Sequence, residues 1–179
     1  MDRAEAVAVR FLSGGLEHLA NFDLRFRTGH ASSGLMREEG IVGDLPSGEA
    51  YIVPYEGEKA NERSRTSGVL PVQFDDELVL YRIESNRGVG VVSSGGHSDV
   101  ERKKLVDEPA YGNIAEVGIG VLGEWGIKAI GSTLLDEKLE LHIAVGRSDH
   151  FGGATSPASF PNRKNVIHID WVYVSSVRQ

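Results

Sequence analysis

The spacing of apolar residues changes within the first thirty positions of the chain. From Arg3 to about Leu19, apolar side chains recur at the three- and four-residue intervals of an amphipathic helix, and Gly14-Gly15 weakens its middle. Over 22–29, FDLRFRTG, apolar and charged residues alternate, as in a half-buried strand. The pattern therefore predicts an N-terminal helix followed by a strand.

Short apolar runs bounded by turn residues fill most of the remaining chain. A charged helix is predicted over 97–109 with Ser98 as its N-cap, and hairpin turns are predicted at 75–76 and 86–88. The predicted strands are 49–55, 67–74, 77–85, 88–94, 113–121, 141–146 and 165–176. We predict one α+β domain over 1–179, mostly an antiparallel sheet or barrel-like arrangement with a few helices.

Composition excludes several classes of function. The net charge is −7 and the isoelectric point is near 5.4, which argues against nucleic-acid and anionic membrane surfaces. The chain has no cysteine, so a metal ion must be held by nitrogen and oxygen ligands. No apolar run has membrane-spanning length and no signal-peptide pattern begins the chain, so a cytoplasmic location is expected.

Two histidines near the C-terminus lie in strand-like runs. His168 and Asp170 form an H-x-D triplet, and alternation in a strand turns both side chains to one side and Ile169 and Trp171 to the other. An imidazole beside a carboxylate suits zinc, cobalt or manganese, and a strand-surface hydrogen bond between the two is the ordinary alternative. His142 occupies a comparable position in LHIAVG. A metal site and an ordinary pair of strands both remain open on this pattern.

Two glutamates strengthen the metal hypothesis. Glu49 follows the turn Pro46-Ser47-Gly48, and Glu116 lies in the apolar run NIAEVGIG. Burying an ionised carboxylate costs several kcal/mol unless a cation or hydrogen-bond donors compensate it. A bound metal ion would account for Glu116 directly, whereas a solvated strand edge is the ordinary alternative.

Four segments in this order resemble the catalytic domain of the aminopeptidase T family of metallo-aminopeptidases (peptidase family M29). They are LPSGEAYIVP, NIAEVGIG, DEKLELHIAVGRSDHFGG and VIHIDWVY, and the resemblance spans roughly 22–173. It implies a site with two divalent metal ions, zinc, cobalt or manganese. The implied metal ligands are Glu49, Glu116, His142, His168 and Asp170.

The implied activity is hydrolysis of the N-terminal peptide bond of a peptide by metal-activated water. Glu116 or Glu49 would act as general base. Arg147 and His150 are candidates to stabilise the oxyanion, although each is equally an ordinary loop residue. Asp149 is a further ligand or a turn residue. The resemblance also implies a homodimer.

The chain departs from the family in two respects. Family members have a large N-terminal domain ahead of this region, and many have a tyrosine seven residues after the first metal histidine, where this chain has Asp149. Tyr51, Tyr55 or His150 are candidates to replace that tyrosine. These departures favour one alternative, a peptide-binding accessory protein without hydrolysis, for instance in a peptide-modification or natural-product pathway. The second alternative is a mononuclear iron ring-cleaving dioxygenase, because some of these enzymes resemble this fold and its His/His/Asp set, although both retained glutamates speak against it.

Overall fold

A computed structural model describes residues 3–173, which form two five-stranded antiparallel sheets. The strands are β1 (Ala6–Ser13), β2 (Leu16–Asp23), β3 (His30–Ser32), β4 (Glu49–Ile52), β5 (Ser67–Phe74), β6 (Glu77–Glu84), β7 (Arg87–Val91), β8 (Ile114–Gly120), β9 (Leu141–Gly146) and β10 (His168–Tyr173). The helices of this part of the chain are α1 (Gly96–Asp107), α2 (Thr133–Asp136) and single 3-10 turns at Pro109–Gly112, Leu122–Trp125, Asp149–Phe151, Pro157–Ser159 and Arg163–Asn165. The predicted α+β class, mostly antiparallel with a few helices, is confirmed.

The two sheets share one hydrophobic core. The first sheet has the order β1-β2-β5-β6-β7 and the second β10-β9-β8-β4-β3. Phe22 and Tyr81 of the first sheet are buried in the same cluster as Ile143 and Trp171 of the second. The rings of Tyr81 and Trp171 stack with centroids 4.8 Å apart. Each fully buried apolar side chain of this size contributes about 2 kcal/mol, so the shared core holds the sheets together.

The predicted N-terminal helix is wrong, because residues 6–23 form the β1–β2 hairpin. Val7, Val9 and Phe11 are the less exposed residues of β1, which is the two-residue period of a strand. The turn is Gly14-Gly15, with φ of 59° and 75°. A two-residue hairpin turn with positive φ at both central residues favours glycine, so the glycines that weaken a helix specify this turn.

The predicted strand over 22–29 is correct only at its beginning. β2 ends at Asp23, whose carboxylate accepts a hydrogen bond from the backbone N–H of Arg25 and bends the chain. Phe26 follows with φ of 65° and is exposed. The charged residues of this segment therefore belong to a turn that a local hydrogen bond stabilises.

The three strands predicted over 67–94 and the helix predicted over 97–109 are present, but the third strand ends at Val91 and the helix ends at Asp107. The second hairpin turn is Ser85-Asn86 rather than 86–88, with φ of 48° and 66°. The residue before α1 is Gly95, and Ser98 lies inside the helix. The first turn of α1 is instead capped by Glu77, whose carboxylate accepts the backbone N–H groups of His97 and Ser98.

The remaining predicted strands correspond to β4, β8, β9 and β10, but β4 ends at Ile52 rather than at 55, and β10 begins at His168 rather than at 165. The prediction for the last of them extends to residue 176, and residues 174–176 lie outside the described part of the chain. None of the helices in residues 3–173 has the length and apolar character needed to cross a bilayer.

Candidate metal centre

The register of the second sheet brings the five predicted ligands onto one face. Directly opposed residues of antiparallel strands share a face of the sheet, and so do residues two apart on one strand. The register pairs are Glu49 with Gly120, His142 with Gly118, Glu116 and Asp170 each with Ala144, and His168 with Gly146. Each predicted ligand therefore has a glycine or an alanine directly opposite it on at least one neighbouring strand, which leaves room for its side chain on that side.

Gly118 shows how tight this arrangement is. A Cβ atom added to Gly118 would lie 1.9 Å from Nε2 of His142, far closer than any allowed contact. The imidazole therefore occupies the volume that a side chain at position 118 would fill. Glycine is therefore required at position 118, because any larger residue there would overlap the His142 ring.

Glu116, His168 and Asp170 form the part of the centre best suited to a metal ion. One ligand atom from each of these residues lies within 4.8 Å of the other two. Nε2 of His168 is 3.5 Å from Oε2 of Glu116 and 3.8 Å from Oδ1 of Asp170. Ligand atoms at about 2.1 Å from a tetrahedral ion are separated by about 3.4 Å, so these spacings fit coordination better than direct hydrogen bonding.

The orientation of the His168 ring supports the same interpretation. Its Nδ1 is 2.7 Å from the backbone carbonyl oxygen of Arg147. A carbonyl only accepts, so Nδ1 carries the hydrogen and donates it. In the neutral ring Nε2 is then an unprotonated lone-pair nitrogen directed at Glu116 and Asp170. A backbone carbonyl on the remote nitrogen is the usual support of a metal-binding histidine.

His142 and Glu49 extend the cluster on the other side of Glu116. Nε2 of His142 is 2.9 Å from Oε1 of Glu116 and 3.6 Å from Oε2 of Glu49. Nδ1 of His142 is buried and has no hydrogen-bond partner among the residues described. All five predicted ligands are thus close neighbours, and Glu116 lies between the two histidines.

Burial and mutual contact shift the pKa values of the cluster. Burial opposes ionisation of Glu116, but hydrogen bonds from His142 and His168 outweigh it and lower the pKa of this carboxyl to about 2. Burial raises the pKa of Asp170 to about 6, with His168 opposing and the nearby Glu116 adding to the rise. Burial lowers the pKa of each histidine, yet the bond to Glu116 raises it above its ordinary value overall.

Sequence reasoning missed Lys138. Its side chain is 3% exposed, and its Nζ donates to Oε1 of Glu49 and to Oε1 of Glu137, both at 2.5 Å. Burial opposes the charge of Lys138, but these two carboxylates raise the pKa of the ammonium above its ordinary value. Burial likewise raises the pKa of Glu49, and Lys138 opposes that rise. The run DEKLE has the composition of a solvated surface, so its sequence gave no signal of a buried cation.

Arg147, Asp149 and His150 lie at the edge of the centre. The guanidinium of Arg147 bonds the carboxylate of Asp149, and both side chains are about one-third exposed. This ion pair accounts for Asp149 as a loop residue that holds Arg147, and the nearby guanidinium holds the pKa of the Asp149 carboxyl below its ordinary value. The His150 ring packs edge-on against His168, with centroids 4.8 Å apart. His150 therefore lies directly beside His168, one of the candidate ligands.

The structure separates the candidate tyrosines. Tyr55 is buried and its hydroxyl donates to the backbone carbonyl of Glu62, so it supports a loop. Tyr51 lies two residues after Glu49 on the same face of β4, and its ring packs against Phe151 with centroids 4.9 Å apart. Burial, together with the charges of Glu116 and Glu49, raises the pKa of the Tyr51 phenol. Of the two tyrosines, Tyr51 is the one that lies on the ligand face of the candidate metal centre.

Comparison with known proteins gives a likeness of fold. No family profile matches the chain, and no curated protein matches it. The chain is similar to the solved structure of wild-type AmpT from Thermus thermophilus, with a TM-score of 0.58 and 19% identity. The match covers 94% of this chain and 42% of the Thermus chain, so this chain spans less than half of that protein's length. At this identity the likeness concerns the fold alone.

Proposed function

We propose that the chain binds a divalent metal ion and hydrolyses N-terminal peptide bonds, as an aminopeptidase-like hydrolase. The observation that carries the proposal is the convergence of Glu116, His168 and Asp170, with their ligand atoms within 4.8 Å and the His168 ring oriented by the Arg147 carbonyl. The mixed nitrogen and oxygen ligand set suits zinc, cobalt or manganese. The motif resemblance supplies the substrate class, a peptide with a free amino end.

The residues of the proposed centre have different chemical roles. A divalent ion bound there would supply a water of lowered pKa and polarise the peptide carbonyl. Glu116, the more acidic carboxyl, suits the role of ligand. Glu49 has a raised pKa and accepts a proton more readily, so it suits the role of general base.

Two further groups border the space in which substrate would lie. His150, beside His168, is placed to donate a hydrogen bond to an oxyanion, whereas Arg147 is already held by Asp149. The phenol of Tyr51 is a second donor on the same face as Glu49. We assign His150 and Tyr51 the oxyanion-stabilising role and Arg147 the support of His168 through its carbonyl.

One observation favours the non-hydrolytic alternative. The Glu49 carboxylate is bonded to a buried ammonium, which reduces its capacity to accept a proton. If Glu49 is fully neutralised by Lys138, the centre would bind metal and a peptide amino end without turning it over. A peptide-binding accessory role is therefore the second candidate. Homodimerisation and a cytoplasmic location stay predictions.

The test is a paired substrate assay on protein loaded with zinc, cobalt or manganese. We expect hydrolysis of aminoacyl amides with a free amino group and none of their N-acetylated counterparts. His168→Ala should lower both metal content and rate at least about 100-fold. The matched control is His97→Ala, whose half-exposed ring pairs with Asp75 on the first sheet.

The alternatives give different results in the same assay. Metal binding with amine-dependent peptide binding and no hydrolysis would contradict the hydrolase and favour the accessory role. A requirement for iron and dioxygen would favour the ring-cleaving dioxygenase. Absence of metal binding after reconstitution would refute the proposed centre.

A further inference from the structure

Lys138 is built into the metal centre rather than placed on its surface. It lies just before β9, and its backbone carbonyl accepts the N–H of Leu122 at 2.9 Å. A Cβ atom on Gly120 would lie 2.0 Å from the Lys138 carbonyl carbon, so a glycine at 120 permits this close approach. The backbone and the ammonium of Lys138 are therefore both fixed, and the lysine enters the cluster from a rigid position.

The Lys138 ammonium contacts one part of the five-residue cluster. Glu49 offers one oxygen to Lys138, and its other oxygen faces His142. Glu116, His168 and Asp170 lie in the other part, and they form the one group of three ligands that converges among residues 3–173. Lys138 has no bond to that group in the contacts of the described residues; its second partner is Glu137.

We infer that the Lys138 ammonium takes the place of a second divalent ion, so that the centre holds one ion, bound by Glu116, His168 and Asp170. The inference rests on the proposed metal centre and replaces the two ions implied by the sequence resemblance. A divalent ion on Glu49 would share that carboxylate with a buried ammonium, and the two like charges would repel in a poorly solvated site. Glu49 is then a partner of Lys138 rather than a metal ligand.

The position of Lys138 also determines which carboxylates are left to bind a metal ion. The carboxylates of Glu49 and Glu137 share the lysine, while those of Glu116 and Asp170 remain for the ion. A single divalent ion balances two carboxylates in charge, and the neutral imidazole of His168 completes its ligand set. A second divalent ion would add charge where a cation is already present.

The experiment counts manganese ions in metal-stripped protein reconstituted with Mn²⁺. Elemental analysis gives the number of ions per chain, and electron paramagnetic resonance separates isolated ions from exchange-coupled pairs. We expect about one ion, with the spectrum of an isolated centre, in the wild type. Lys138→Met removes the ammonium and releases the Glu49 oxygen that it holds, so its manganese content should double and the coupled spectrum should appear.

Two further variants keep the result interpretable. Lys103→Met removes an exposed lysine that pairs with Asp107 on α1, and its manganese content should equal that of the wild type. Glu49→Gln leaves Lys138 in place, and it should retain about one ion because Glu49 is not a ligand. This variant tests the inference even if Lys138→Met fails to fold.

The outcomes separate this inference from the proposed function. Two coupled ions in the wild type, or one ion in a folded Lys138→Met protein, would overturn the inference and leave the metal centre intact. Loss of the ion in Glu49→Gln would also overturn it. Absence of manganese from every variant would refute the proposed metal centre itself.

Discussion

Two buried glutamates of this protein have similar exposure and opposite surroundings. Glu101, on α1, is 2% exposed, and its carboxylate accepts the hydroxyl groups of Tyr81 and Tyr111 and the ammonium of Lys104. Glu116, on β8, is 4% exposed and lies between two histidines, with Asp170 nearby. Donors satisfy the first glutamate, whereas the second shares its surroundings with a further carboxylate. Burial alone therefore does not distinguish the two carboxylates; the residue types that surround them do.

The largest expected effect tests this contrast directly. Glu116→Gln removes the charge of a proposed ligand that lies between His142 and His168, and we expect metal affinity to fall at least about 100-fold. The matched change Glu101→Gln should leave metal affinity unchanged, because its neighbours are hydroxyl groups and a lysine. Titration with Zn²⁺, followed by calorimetry, measures both. Equal losses in the two variants would remove the distinction between the glutamates.

The second carboxylate near Glu116, that of Asp170, should make the stability of the protein depend on pH. In the metal-free protein burial raises the pKa of Asp170 from an ordinary 3.8 to about 6. A raised carboxyl pKa means that the folded chain binds the proton more tightly, so the cost of ionisation grows from pH 4 to pH 6 and persists above it. The difference corresponds to about 3 kcal/mol.

Asp170→Asn should therefore raise the free energy of unfolding of the metal-free protein by up to about 3 kcal/mol at pH 8, and change it little at pH 3.5. Urea denaturation in the presence of a chelator gives both values. With Zn²⁺ present the order should reverse, because the variant lacks a ligand. A stability gain that is the same at both pH values would contradict the burial of this charge.

Substitution of Glu101 should lower the stability of the protein, in contrast to Asp170→Asn, which should raise it. Glu101→Gln keeps the shape of the side chain but weakens the charge-assisted bonds from two buried hydroxyl groups. We expect the free energy of unfolding to fall by about 2 kcal/mol, with metal binding intact. Thermal and urea unfolding measure the loss. A neutral effect would show that the hydroxyl groups find other partners.

Substitution of Gly118 should have a smaller effect, which arises from the packing of this residue against the His142 ring. Gly118→Ala places a methyl group against the His142 ring, and the shift of the ring should cost about 1–2 kcal/mol of stability and displace Glu116. Gly90→Ala on β7 is the matched control, because its added Cβ atom would meet nothing within 4 Å. Chemical-shift changes of the histidine rings, followed by NMR, report the displacement. Identical spectra for the two variants would contradict the close contact.

The smallest expected effect concerns Asp149. Its carboxylate bonds Arg147, so Asp149→Asn should leave the metal content unchanged while loosening the loop after β9. Elemental analysis of the purified variant measures the metal. A loss comparable with that of Glu116→Gln would make Asp149 a ligand and extend the centre into this loop.

The sequence alone determined the class of fold and the candidate ligands. Strand alternation predicted that His168 and Asp170 turn away from Trp171, and Trp171 does lie in the core. The turn residues at 75–76 set a hairpin that the structure confirms. These features are local, because the direction of a strand side chain and the geometry of a two-residue turn depend on the immediate neighbours.

Only the tertiary structure decided which secondary structure the N-terminal segment forms and which side chains meet at the candidate metal centre. Apolar residues at both three- and two-residue spacing allowed either a helix or a strand for β1, and pairing with β2 selected the strand. The local sequence does not predict that Lys138 lies beside Glu49. The two residues are 89 positions apart, and the arrangement of α2, β8 and β4 brings them together. A buried ion pair is a product of strand register and loop packing, which no single segment of sequence contains.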